Sequence, residues 1–425
     1  MPFISADQLA VGLYVYLDIS WMDHPFTFNH FKIRSEDQIA TLRSLGLKQL
    51  RYDPDKSDIT PPELPIEALS AAGGTPSAPA EIGPEKLAAI QAKQARQERI
   101  RQQRQAIHAC EKAFLSAAGT VKSISKNLFS RPEETIQVAE SMVRQMVDSM
   151  LIDRDIAIHL MNDKIAGEEV YIHSLNVTVL SMILGKEMGL APEQIRSLGI
   201  GAIFHDIGKI DIPDKVLLKT QPLTKAEEDF LRQHVAYGLD IGKRVKLDKE
   251  TMQIIAQHHE MLDGSGYPAK LKGEQIRLTA RIIGLVNTYD NLCNPVNVSA
   301  AITPHEALSL MFSKQRNKFD ANALKVMIHS LGVYPPGTVV SLSNDAIGMV
   351  MSVNASKPLK PAVLIYDPDI PKDEAIIVDL ETEHDLNISK ALRPALLPRA
   401  VYEYLSPRKR VTYYFDESTQ KAGRA

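Results

Sequence analysis

His205-Asp206-Ile207-Gly208-Lys209, His258-His259-Glu260 and Asp263-Gly264-Ser265-Gly266-Tyr267-Pro268 are the blocks on which the reading of this chain turns. His173 precedes them and His234 falls between the first two, so five of the chain's twelve histidines lie between His173 and His259, with acidic residues among them. Imidazole and carboxylate donors mixed in this way suit Fe, Mn, Zn or Ni, whereas Ca or Mg would favour an all-oxygen set. A lone His-Asp pair is commonly a surface or capping feature. The ordered recurrence of such residues marks a polynuclear transition-metal site.

The flanking sequence places these residues on helices. Val170–Met188 reads as an amphipathic helix ending at Gly189 and carries His173. Glu169, four residues before His173, shares its face, so both side chains can point at one centre; a Glu at a helix start is also favoured by the macrodipole alone. His205 and Asp206 are adjacent, about 100° apart on a helix, which suits Asp206 as a bridge between two metals. Lys209, four residues after His205, faces the same way and can neutralise charge on a phosphoryl transition state or steer a proton. Thr224 and Glu227 form a capping-box signature for a helix running through His234. Another helix, opening near Lys249-Glu250-Thr251, ends at His258 and His259, a pair hard to satisfy when buried without a metal. The two glycines and the proline of 263–268 make a rigid turn.

Working outward, 425 residues with 44% hydrophobic content support two or three domains. Residues 1–53 read as a small α/β domain, with a strand-like alternation at Val11–Leu17, a helix near Ser35–Leu45 and a strand near Lys48–Tyr52; Trp21 and Phe26 are expected to complete its core. Residues 54–84, rich in Pro, Ser, Ala and Gly, read as a flexible linker, and 85–139 as a polar helical segment whose Arg96, Arg99, Arg101 and Arg104 form a solvated face or a weak coiled-coil partner surface rather than a phosphate site. Helical patterns continue at Glu133–Asp148, around Asp155–Asp163, and at Thr279–Leu292, Pro304–Lys314 and Asn322–Leu331. Beyond 332 short β-rich runs at 338–342, 347–353 and 362–366 suggest an antiparallel meander. The fold class is therefore mainly α, with an all-helical core at 140–332, a small N-terminal α/β domain and a β-rich C-terminal extension at 333–425.

A formal charge of −3 gives no global pull toward a DNA or RNA polymer or toward acidic membranes, and no run of 18 apolar residues suggests a membrane span. Two distant cysteines, Cys110 and Cys293, support neither a disulfide framework nor a cysteine zinc site, and the N-terminus has no export signal. A cytoplasmic protein is expected.

The order HDIGK, HHE, DGSGYP resembles the HD-GYP branch of the HD metal-dependent phosphohydrolases. The resemblance is strong over 140–332, and the N-terminal block looks like the small domain often found ahead of HD-GYP domains in bacteria. It implies an HD-type helical core and hydrolysis of cyclic di-GMP to the linear dinucleotide and GMP. The implied metal ligands are His173, His205, Asp206, His234, His258 and His259, with Glu169 toward a third metal, and Asp206 and Lys209 are the catalytic candidates. Two or three divalent transition ions are implied, Fe or Mn before Zn or Ni. Gly266, Tyr267 and Pro268 become substrate-side candidates, Tyr267 stacking on a guanine or bonding through its hydroxyl, with a purely structural loop as the alternative. Diguanylate cyclases or other signalling proteins are implied partners, and a homodimer is left open.

Two departures from the family pattern stand out. Where it supplies a carboxylate on the helix after the GYP loop, this chain has Asn287, which can coordinate through its amide oxygen but brings no charge. Where it has an Arg-Pro-Tyr-Arg-like run, this chain has Asn294-Pro295-Val296-Asn297-Val298, so phosphate contacts fall to Arg281, Arg277, Arg316 or Lys318, or are absent. These departures keep open a weak or inactive receptor in cyclic di-GMP signalling, and another HD-type nucleotidase is a third reading.

Overall fold

The computed structural model describes residues 2–19, 24, 26, 29–61, 84–152, 157–161, 169–354, 357–368, 370, 372, 375–383, 385–406 and 411–415, in two compact units, 1–105 and 106–425.

In the first unit, strands β1 (Phe3–Ser5), β2 (Tyr14–Tyr16) and β3 (His30–Lys32) precede helix α1 (Glu36–Ser44) and strand β4 (Gln49–Tyr52). The strands form an antiparallel sheet in the order β1-β4-β2-β3. Ser35 caps α1 by accepting from the Gln38 amide, and Ile39 and Leu42 join Ile4, Leu13, Val15 and Leu50 in the core. Phe26 packs on this core; Trp21 lies outside the described residues, as do 62–83 of the expected linker. A long helix, α2 (Pro84–Asn127), follows.

The second unit is helical around a buried centre. Its elements are α3 (Pro132–Ile152), β5 (Ala157–Leu160), α4 (Glu169–Glu187), α5 (Pro192–Phe204), α6 (Asp214–Leu217), α7 (Lys225–Arg232), α8 (His234–Arg244), α9 (Lys249–Gln257), α10 (Leu278–Cys293), α11 (Pro304–Lys314) and α12 (Ala321–Leu331). Strands β6 (Val339–Leu342), β7 (Ile347–Asn354), β8 (Ala362–Ile365), β9 (Ile377–Asp379) and β10 (Ile388–Leu392), helix α13 (Arg399–Leu405) and strand β11 (Tyr413–Phe415) complete it.

Three expectations are corrected. The segment at 155–163 was expected to be helical, but residues 157–160 form β5, which pairs with both β7 and β11 and so ties the C-terminal sheet into the chain ahead of the metal block; tertiary pairing overrides the local pattern. Val170–Met188 is not amphipathic: residues 174–185 of α4 are all buried, as befits a central helix apolar on every side. The helix opened by Thr224 does not run through His234. It ends at Arg232, and α8 begins anew at His234, although the capping box of Thr224 and Glu227 forms as expected. Cys110 and Cys293 are both buried and unbridged. Among the described residues no helix is long and apolar enough to cross a membrane.

Candidate metal centre

Helix ends build the site. An α-helix leaves the carbonyls of its last turn without intrahelical partners. His205 is the C-cap of α5, His258 the C-cap of α9, and His234 follows directly on the end of α7. Each turns its Nδ1 back to a carbonyl three residues earlier: His205 to Ala202 at 2.7 Å, His234 to Leu231 at 2.6 Å and His258 to Ile255 at 2.9 Å. A carbonyl can only accept, so Nδ1 carries the proton and each Nε2 presents a lone pair. The negative ends of α5 and α9 add a field that favours a cation there.

Those lone pairs converge on Asp206. Its Oδ2 lies 3.3 Å from His205 Nε2 and 3.5 Å from His173 Nε2, while its Oδ1 lies 3.4 Å from His234 Nε2 and 3.6 Å from His258 Nε2. The carboxylate thus offers one oxygen to each of two donor groups, His173–His205 and His234–His258–His259, within which the donor atoms lie within 4.8 Å of one another. His205 Nε2, His173 Nε2 and Asp206 Oδ1 are buried without a hydrogen-bond partner, and His234 and His258 bring their Nε2 atoms to 3.4 Å. Buried acceptors without donors are costly. A pair of cations is the species this arrangement fits.

The polypeptide is shaped for the approach. Helix α5 stops at Phe204 and a 3-10 turn, Ile207–Asp211, takes over, so His205 and Asp206 diverge at a helix break rather than along a regular helix. A Cβ on Gly208 would lie 1.9 Å from the His234 carbonyl oxygen; only glycine lets this turn close onto α8. Lys209 donates to Asp206 Oδ2. Burial would raise the Asp206 carboxyl, but Lys209 and His205 outweigh it and hold it well below the usual carboxylate range. Burial lowers His234 to about 4 and pushes His258 and His259 down as well. These imidazoles are held neutral, as ligands must be.

His173 is set differently. Its Nδ1 donates to Asp290 Oδ2 at 2.6 Å, and although burial alone would lower it, the carboxylates of Asp206 and Asp290 raise it to about 9. Asp290, on α10, is a site residue that the sequence reading did not single out. It lies one turn after Asn287, and its Oδ1 accepts from Asn176 and Asn294, each at 2.8 Å. Asn287 is buried, with its Oδ1 accepting from Asn291 at 2.7 Å. Glu169 opens α4 ahead of His173, and its side chain lies outside the described residues.

The GYP turn folds back onto the histidines. The Tyr267 amide donates to the His259 carbonyl, and the two rings stack at 4.5 Å, with the Arg232 guanidinium 5.0 Å from the tyrosine centroid. A Cβ on Gly266 would fall within 2.5 Å of Glu260 and Met261 backbone, and the Glu260 carboxylate takes the amides of Ala269 and Leu271. Through these contacts Gly266 and Tyr267 brace His259. Arg232 was a second omission, one that no spacing rule would have found.

A cavity of about 770 Å³, counting its open mouth, reaches the cluster. His173, Asp206, Lys209, Asp290, Asn291 and Asn294 line its polar side, and Leu217, Leu218 and Val296 its apolar side. Arg281 is held elsewhere, by the Ile276 carbonyl and Asp320, and none of Arg281, Arg277, Arg316 and Lys318 lines this cavity.

Comparison with known proteins agrees with this architecture. Residues 145–323 match the family "HD domain", 3–139 match "Domain of unknown function (DUF3391)", and 339–399 match "KOW domain associated with HD domain". The chain is 29% identical over 373 residues to the cyclic di-GMP phosphodiesterase PA4108 of Pseudomonas aeruginosa, covering 85% of this chain and 84% of that protein. It is 34% identical over 148 residues to the cyclic di-GMP phosphodiesterase response regulator RpfG of Xanthomonas campestris, covering 34% of this chain and 39% of that one. Over 153 residues it is 33% identical to 3'3'-cGAMP-specific phosphodiesterase 2 of Vibrio cholerae, covering 35% and 29% respectively.

Proposed function

Because the chain carries an HD domain at 145–323, set between the two accompanying domains, we propose that it is a metal-dependent phosphodiesterase that opens cyclic di-GMP to the linear dinucleotide and then to GMP. The observation that carries this reading is the Asp206 carboxylate with one oxygen toward each of two imidazole groups, in which His205, His234 and His258 turn Nε2 lone pairs inward. The substrate follows the relative that covers 84% of its own length in the match, while the shorter matches include a 3'3'-cGAMP enzyme.

In this reading His173, His205, Asp206, His234, His258 and His259 would hold divalent ions, with Asn287 offering a neutral oxygen and Glu169 a further carboxylate. The mixed donor set favours Fe or Mn, with Zn or Ni next. Bound ions would supply Lewis-acid polarisation of the phosphodiester and acidify the attacking water. Lys209, on the cavity wall, would offset charge that develops on the phosphoryl oxygens, and Asp206, held ionised, would serve as an anionic metal ligand. The Tyr267 ring is taken up by His259 and the Arg232 guanidinium, and neither Tyr267 nor Arg232 lines the cavity, which favours the structural role of the GYP turn over guanine stacking.

One observation favours a weaker catalyst or a receptor: Asn287 supplies no charge where a carboxylate is expected, and Lys209 is the one Lys or Arg among the described residues lining the cavity. Metal analysis after anaerobic purification, followed by hydrolysis assays with cyclic di-GMP and 3'3'-cGAMP, tests both. Two or more ions per chain with turnover of cyclic di-GMP is the expected result. A metal-loaded chain that binds the nucleotide without turnover would establish the receptor.

A further inference from the structure

The residue just ahead of strand β11 reaches the cavity. Thr412 lies beyond residues 145–323 and 339–399 of the matched domains, yet it lines the same cavity as His173, Asp206 and Lys209. Its side chain is 2% exposed, and its Oγ1 is buried without a hydrogen-bond partner. The neighbouring backbone is fixed by two asparagines acting as a substitute strand. The Val411 carbonyl accepts from Asn176 at 2.9 Å and Asn294 at 2.7 Å; the Val411 amide donates to Asn294 Oδ1 at 2.6 Å, and the Tyr413 amide to Asn176 Oδ1 at 2.9 Å. On the next residue the Tyr413 hydroxyl meets that of Tyr289 at 2.8 Å. Thr412 is therefore held in place from both sides.

The amide donors of the cavity are committed. Asn294 Nδ2 serves Asp290 and Val411, and Asn291 Nδ2 serves the Asn287 carbonyl and side chain. A carboxamide nitrogen has two protons, so both amides are spent. Lys209 gives one of its three N–H donors to Asp206 and is the charged donor left for a phosphate. Among the described residues of the lining, the neutral donor without a protein partner is the Thr412 hydroxyl; it is closed to solvent, and rotation about the Cα–Cβ bond would turn it toward an entering phosphodiester, in a chain that lacks the family's basic run. We propose that Thr412 is a substrate-positioning residue whose Oγ1–H donates to a non-bridging phosphoryl oxygen. The proposal rests on the phosphodiesterase reading for its substrate and extends the site to a segment outside the HD domain.

Thr412→Val keeps the shape and removes the donor, and Thr412→Ser keeps the donor. A hydrogen bond to a charged oxygen supports a loss of roughly 10- to 100-fold. For Thr412→Val the expected result is a KM for cyclic di-GMP raised by about that factor, with kcat, metal content and thermal midpoint near wild type, as for an interaction made equally in ground and transition states. Thr412→Ser should recover most of the affinity. Inorganic phosphate binding to the metal-loaded protein, read by calorimetry, separates this idea from the substrate reading. Weaker phosphate binding in Thr412→Val alone supports the proposal even in a chain that does not turn over cyclic di-GMP. Equal phosphate affinity in wild type and Thr412→Val overturns it, whatever the substrate, and so does an equal loss in the Val and Ser variants.

Discussion

Two kinds of histidine meet at Asp206. His205, His234 and His258 are oriented by carbonyls of their own helix ends, three residues away. His173 is oriented by Asp290, 117 residues further along the chain, and through Asp290 by Asn176, Asn294 and the backbone at Val411. The first kind is a property of local structure: wherever such a helix ends, a histidine there finds an acceptor for Nδ1. The second kind exists only when α4, α10 and the segment leading into β11 are assembled. One half of the metal centre should therefore be robust to distant change, and the other half should report on it.

The most severe way to break the comparison is to remove the residue both halves share. Asp206→Ala should lose most bound metal and reduce hydrolysis to background, with the helical circular dichroism retained, because both donor groups lose the carboxylate they share. Wild-type metal content in this variant would sink the two-group arrangement.

Next comes the tertiary half alone. Asp290→Asn keeps the size but removes the charge behind His173, and outer carboxylate partners of metal-bound histidines are worth about 10- to 100-fold in metal affinity. Chelator competition should show that loss for part of the bound metal, the His234–His258–His259 group retaining its own. Uniform loss of all metal would mean that the two halves are not separable.

Asn287→Asp sharpens the same boundary from the other side. A carboxylate at 287 should tighten metal retention toward the lower end of about 10- to 100-fold, with hydrolysis equal or faster. Asn287 already accepts from Asn291, so superimposable chelator curves would assign it to that contact and leave Asp290 as the carboxylate that α10 contributes.

This contrast also explains what could be read from the sequence. The helix-end histidines, Asp206 and Lys209 announce themselves because motif and local geometry coincide, as do the caps at Ser35 and Thr224. Asp290 sits in plain view three residues after Asn287, but its role depends on a partner on another helix. Thr412 is further from reach still, since nothing near it in the sequence indicates that Asn176 and Asn294 will clamp its flanks. Strand β5 fails for the same reason, being four residues held by pairing with β7 and β11 rather than by its own propensity. The break between α7 and α8 has no glycine or proline to mark it. There the Leu231 carbonyl is taken by the His234 ring.

The smallest effect separates the two kinds by pH, in the metal-free protein. His234 is held at about 4 by burial, below the ordinary value near 6.5. The unfolded chain therefore binds more protons than the folded one between those values, and stability present above pH 6.5 falls as pH drops toward 4. His258, pushed down by burial as well, adds to this acid limb. His173 has the opposite sign: raised to about 9 against the pull of burial by the carboxylates of Asp206 and Asp290, it contributes stability that is fully present below pH 6.5 and is lost as pH rises through 9. The thermal midpoint of the metal-free chain should accordingly peak near neutrality and decline by a few degrees on each side. Asp290→Asn removes one of the two carboxylates that hold the His173 proton, so its alkaline limb should flatten while its acid limb keeps the wild-type slope. Flattening of both limbs together would show that the locally and distantly oriented histidines titrate as one unit, and the division drawn between them would fail.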